Sequence, residues 1–155
     1  MNEFVLITEP DATYQNLGHT KNVKINDNIM ISCGRAAILV QYTDGFRIND
    51  NLIDSVATET DNERSAINCS SNAKNGKIFN NTIRKALTGN QNKYGVEVTA
   101  SCTNVQTFNN DAEGKTGRHI NNSVGGFEGW YAHSPDGTRY KVAVANGGTF
   151  TVTAG

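Results

Sequence analysis

Ile48-Asn49-Asp50-Asn51-Leu52-Ile53 is one of four versions of the same short phrase. Val23-Lys24-Ile25-Asn26-Asp27-Asn28-Ile29-Met30 comes before it, and Ile78-Phe79-Asn80-Asn81-Thr82-Ile83 follows. Thr107-Phe108-Asn109-Asn110-Asp111-Ala112 is a weaker fourth copy. The shared frame is apolar-x-x-Asn-x-apolar, with Asn28, Asn51, Asn81 and Asn110 in register. Their separations are 23, 30 and 29 residues (51−28, 81−51 and 110−81). A recurrence of this length marks a repeat architecture, in which one coil cannot bury its apolar side until the next stacks on it.

Ile25 and Met30, or Ile48 and Ile53, flank the asparagine as inward-facing groups on two short strands. The asparagine is expected at the bend between them, because it tolerates the left-handed backbone region and its amide bonds locally. Stacked coil on coil, the four side chains would bond to one another as an asparagine ladder. Asparagine is a common turn residue, and 21 of the 155 residues are Asn. One match could arise by chance. Four in frame, each preceded by another strand-like run, favour stacked coils.

The runs before the second, third and fourth motifs are Ala36 to Tyr42, Arg64 to Cys69 and Tyr94 to Thr99, short and alternating with period two. Turns rich in Gly, Asn, Asp and Ser separate them, as in Thr43-Asp44-Gly45. A helix fits only at Asn81 to Leu87, for a single turn. The expected body is all-β, with three strands per coil and about four coils. The last two intervals are longer than the first, and the surplus predicts outward bulges at 57–64 and 87–94. Equivalent points on successive coils lie side by side, and function in solenoids concentrates in such insertions.

With a formal net charge of −1, nothing argues for nucleic acid or an anionic membrane surface. No apolar run approaches the ~20 residues of a membrane helix, so no membrane insertion is expected. Met1-Asn2-Glu3-Phe4 lacks the features of a signal peptide, which points to synthesis in a cytoplasm. Cys33, Cys69 and Cys102 are widely spaced and form no metal-binding pattern. They read as buried thiols. No metal and no cofactor is expected.

The pattern breaks at Gly114. Residues 1–22 form an N-terminal arm or first partial coil, 23–113 the coils, and 114–129 a linker. Residues 130–155 form a C-terminal β-meander, with turn signals at Ser134-Pro135-Asp136-Gly137 and Asn146-Gly147-Gly148. Its strands would gather Tyr140, Val142, Val144, Phe150 and Val152 on one apolar face that nothing in the meander covers.

The Asn-bearing coils resemble right-handed parallel β-helices of the pectate-lyase type. The ending from Ser134 to Thr149 resembles the closing segment of bacteriophage tailspike and tail-fibre proteins. That resemblance implies a homotrimer in a virion tail, made in the host cytoplasm, that binds a host surface polysaccharide. The uncovered face of the meander must pack on the end of the coils or on copies of itself, and three-fold association would make Phe127, Trp130, Tyr140, Val142, Val144, Phe150 and Val152 the trimer interface. The chain is short for such a spike and reads as the distal portion of a longer one, an internally started product, or a small fibre.

Polysaccharide cleavage would need two carboxylates at a defined separation, or an acid with a basic partner. Glu59, Asp61 and Glu63 cluster on the first bulge, and Lys93 and Tyr94 on the second could face them. This is a candidate sugar groove, with carboxylates accepting hydroxyl hydrogen bonds and Tyr94 offering a stacking face. No residue is assigned as catalytic, and a loop charge run is often only solvated. Three functions stay open: a glycan-binding tail module, a depolymerase (lyase or glycosidase) fragment, and a structural trimerisation and folding cap.

Overall fold

The computed structural model describes residues 3–7, 20–115, 120–123, 130–133, 139–144 and 150–154. Strands dominate, and no helix occurs among these residues. The chain opens with β1 (Val5–Ile7), β2 (Thr20–Asn26) and β3 (Ile29–Ile31). It continues through β4 (Ile38–Gln41), β5 (Thr43–Asn49), β6 (Leu52–Asp54), β7 (Ile67–Ser70), β8 (Lys74–Phe79) and β9 (Thr82–Arg84). Then come β10 (Val96–Val98), β11 (Thr103–Phe108), β12 (Asp111–Ala112) and β13 (Ile120–Asn122). The first sheet has the order β1-β4-β7-β10-β13, the second β11-β8-β5-β2 and the third β12-β9-β6-β3. Every pairing within them is parallel. The chain visits the three sheets in rotation, an all-β arrangement consistent with a parallel β-helix.

Register explains the core. Ile25, Ile48 and Ile78 align across the second sheet, and Met30, Ile53 and Ile83 across the third. Val5, Ile38, Ile67, Val96 and Ile120 form the matching column of the first. Ile38, Ile48, Ile53, Ile67, Ile78 and Ile83 are all fully buried, each worth roughly 1.5–3 kcal/mol relative to exposure. Parallel pairing puts like residue over like, so one side-chain period serves every strand of a column. The pairing runs past residue 113, through Ile120–Asn122, and begins before 23, at Val5–Ile7.

Three local expectations need correction. The ladder asparagines do not take the left-handed backbone; the preceding residues do. Asp27, Asp50, Asn80 and Asn109 have φ of 59°, 56°, 56° and 51°. The turn is made one position early, which frees the next asparagine to aim its side chain along the stack. The helical turn at Asn81 to Leu87 is replaced by β9, whose Thr82 and Ile83 pair with Leu52 and Ile53 of β6; β-branched residues suit a pleated surface better than a one-turn helix. The bulges do not point outward throughout, because Ala57 and Asn92 are fully buried. Asn92 donates to the carbonyls of Tyr94 and Glu113 at 2.9 and 2.8 Å, so it fastens the base of its bulge.

Side chains join the stack at the corner between the second and third sheets. Asn51 Oδ1 accepts from Asn28 Nδ2 at 3.0 Å, and Asn81 Oδ1 accepts from Asn51 Nδ2 at 2.9 Å. Asn110 Oδ1 accepts from Asn81 Nδ2 at 2.9 Å. Each of these oxygens also accepts the backbone N–H of the donating asparagine. Beside this line Phe79 and Phe108 stack with centroids 4.9 Å apart and planes 5° from parallel. A glycine decides one core position: Gly76 stands opposite Phe46, whose ring occupies the space a Cβ on Gly76 would need.

The C-terminal strands are β14 (Trp130–His133), β15 (Arg139–Val144) and β16 (Phe150–Ala154), an antiparallel sheet in that order. Trp130 lies opposite Val142, Val142 opposite Val152, and Val144 opposite Phe150.

Candidate functional site

The two bulges lie side by side. Asn62 N donates to Gln91 O at 2.9 Å and Lys93 N to Arg64 O at 2.7 Å. Asn90 Nδ2 reaches the carbonyls of Thr58 and Glu59 at 3.1 and 3.3 Å. Asp61 accepts the backbone N–H of Gln91 at 3.1 Å. The corner is a ridge of crosslinked backbone.

Its carboxylates all have cationic partners. Glu59 pairs with Arg35 at 3.1 Å, Asp61 with Lys115, and Glu63 with Arg64 at 4.0 Å. The hydrogen bond from Lys115, helped by the Gln91 N–H, holds the Asp61 carboxyl below its usual range. The Lys93 ammonium sits 5.1 Å from the centre of the Tyr94 ring. Glu59, Asp61, Glu63, Lys93 and Tyr94 thus share one corner, but the acids there are matched by Arg35, Arg64 and Lys115. A ligand taking a hydroxyl bond from one of these acids must share it with, or displace, a cation.

A second feature lies on the outer face of the second sheet. Lys24 of β2, Arg47 of β5 and Lys77 of β8 are exposed and occupy successive register positions. Parallel strands lie about 4.8 Å apart, so three positive charges stand in a row along the stack. Two positions earlier, Asn22, Gly45 and Asn75 take the left-handed backbone, with φ of 56°, 78° and 54°. Asn104 of β11 repeats this at 51° and donates to Asn75 Oδ1 at 2.9 Å. The repeated kink hollows the surface. A cleft of about 260 Å³ lies there, lined by Asn22, Lys24, Gly45, Arg47, Asn75 and Lys77 together with Val23 and Phe46. Sequence reasoning missed this row, although each cation stands four residues before a ladder asparagine: 24 before 28, 47 before 51 and 77 before 81.

Cys33, Cys69 and Cys102 are buried and free. Burial, with Cys102 nearby, pushes the Cys69 thiol well up from its ordinary value, so it resists ionisation. Of the tail positions read as a trimer interface, Phe127 lies outside the described residues. Trp130, Tyr140, Val142, Val144, Phe150 and Val152 are placed by strand register, and Val152 is 61% exposed. Comparison of the chain with family models, with curated proteins and with solved structures finds no match.

Proposed function

We propose that this chain is the distal module of a phage tailspike or tail fibre, a homotrimer that binds a host surface polysaccharide. In this reading the three parallel sheets are a right-handed, pectate-lyase-like helix of about four coils. The crossover rule for parallel strands supports the handedness. The observation that carries the proposal is the union, in one chain, of stacked parallel strands with a C-terminal antiparallel sheet. In that sheet Val152 is exposed, and Trp130, Val142 and Val152 share register. An apolar position open on a small sheet needs cover, and three tails meeting around a common axis supply it. The ridge formed by 57–64 and 87–94 is a glycan-facing surface in the same reading.

Light scattering on the full chain is the test of assembly, with glycan-array binding as the test of recognition. A homotrimer that loses its trimeric mass on truncation after Gly126 is the expected result. A monomeric full chain, or a truncated chain that stays trimeric, overturns the role given to the tail.

A further inference from the structure

We infer that the outer face of the second sheet carries a binding groove for an acidic polysaccharide, with Lys24, Arg47 and Lys77 receiving its carboxylate or sulfate groups over the hollow at Gly45. The polymer class rests on the function proposed above; the location and the sign of the charge do not.

The charges argue first. Like charges directly opposite each other on neighbouring strands destabilise a sheet. Here three stand in line, and among the described residues none of the three has an ion-pair partner. Asp44, the carboxylate on the outer face of β5, is taken by Lys74 at 3.6 Å and by the amide of Asn75 at 2.8 Å. Lysines on an edge strand have an ordinary explanation, because they discourage edge-to-edge aggregation. That explanation reaches Lys24 on the edge strand β2. It does not reach Arg47 or Lys77, whose strands are paired on both sides. An anion laid along the row would relieve the repulsion that the fold tolerates.

The shape argues next. Gly45 has no side chain, and its φ of 78° is a conformation other residues adopt at a cost. A Cβ there would come within 3.1 Å of Asn22 Oδ1. The hollow is therefore built into the backbone and does not depend on side chains moving aside. Its 260 Å³ is below the ~300–1,000 Å³ typical of pockets that enclose a small molecule. It suits one charged unit of a polymer that continues along the cationic row.

A polynucleotide is the competing polyanion, and the lining disfavours it. Proteins that hold single-stranded nucleic acid supply exposed aromatic platforms for base stacking. The one aromatic ring in this lining, Phe46, is 4% exposed and packed over Gly76 in the interior. Arg47 offers a planar fork for a carboxylate or sulfate, and flanking lysines add point charge.

The test is titration of the full chain with polygalacturonate oligomers, with neutral dextran of equal length and a single-stranded DNA oligonucleotide as comparisons. Polygalacturonate is expected to bind, and more weakly as salt is added. Arg47→Gln should weaken it about threefold to fivefold, the scale of one exposed charge pair. Lys24→Gln/Arg47→Gln/Lys77→Gln should abolish it, with the melting temperature reporting that the fold survives. Lys85→Gln, away from the row, should change nothing. Equal binding of dextran, tighter binding of DNA, no binding of polygalacturonate, or a triple variant with wild-type affinity would each overturn the groove. A monomer that binds polygalacturonate through Arg47 keeps the groove and removes the tailspike reading. A trimer that binds a neutral host polysaccharide, indifferent to Arg47→Gln, keeps that reading and removes the groove.

Discussion

Gly76→Ala adds one methyl group at a site where the backbone does not demand glycine. Gly76 lies outside the left-handed region, so chain entropy alone predicts that alanine stabilises the protein by about 0.4–1 kcal/mol. The packing predicts the opposite sign. A Cβ on residue 76 would fall 2.0 Å from Phe46 Cζ and 2.3 and 2.5 Å from Cε1 and Cε2. Phe46 is 4% exposed, so its ring must push into packed neighbours or swing out and expose apolar surface. Overpacking of this kind costs about 1–3 kcal/mol. Net of the entropy gain, a destabilisation of about 0–2.6 kcal/mol remains, a fall of up to about 10 °C in melting temperature for a chain of this size. Urea unfolding followed by circular dichroism, at one protein concentration for all variants, measures it. Phe46→Leu makes room for the methyl. Gly76→Ala/Phe46→Leu should therefore be less damaged than the sum of its parts, with a coupling on the order of 1 kcal/mol. A Gly76→Ala protein at least as stable as wild type, or a cycle with no coupling, would refute the seat assigned to Phe46.

Asn51→Leu should cost on the order of 1–3 kcal/mol, because Asn51 is 2% exposed and its amide also donates to Ile25 O at 3.0 Å. Asn28→Leu should cost clearly less, since Asn28 is exposed and Asn51 Oδ1 keeps the backbone N–H of residue 28 at 3.1 Å; equal thermal melts for the two variants would contradict this. Asp61→Asn tests the Lys115 pair through pH. The carboxyl pKa is lowered on folding, so its contribution is full above the ordinary carboxylate value and fades as pH falls through the lowered one. The melting gap between wild type and Asp61→Asn should be widest at neutral pH and close as pH falls below the ordinary carboxylate range, and narrow in high salt. A gap that widens in acid would be the wrong sign.

The all-β, parallel character of the body is legible in the sequence because parallel stacking repeats like over like. Ile25, Ile48 and Ile78 can be aligned on paper before they are seen aligned in space. The corner between the second and third sheets is less legible in detail. Asp50-Asn51 offers two residues that tolerate a left-handed backbone, and nothing local says which one turns and which one bonds. The ion pairs of the ridge are also hidden. Lys115 meets Asp61 across 54 positions of chain, a contact made only once the corner has closed. The cationic row was available through the same frame that aligns the isoleucines, but reading it requires counting outward-facing residues as carefully as inward-facing ones.

The spacing of the stack has a consequence for how such a chain can change. Between β3 and β4 the return to the first sheet takes residues 32–37, whereas between β6 and β7 it takes 55–66 and between β9 and β10 it takes 85–95. The paired columns continue unbroken through both the short return and the long ones. That corner therefore works as an expansion joint, absorbing a change of length that the neighbouring walls never register. A new loop spliced there would alter what the molecule presents while leaving every strand facing its old partner.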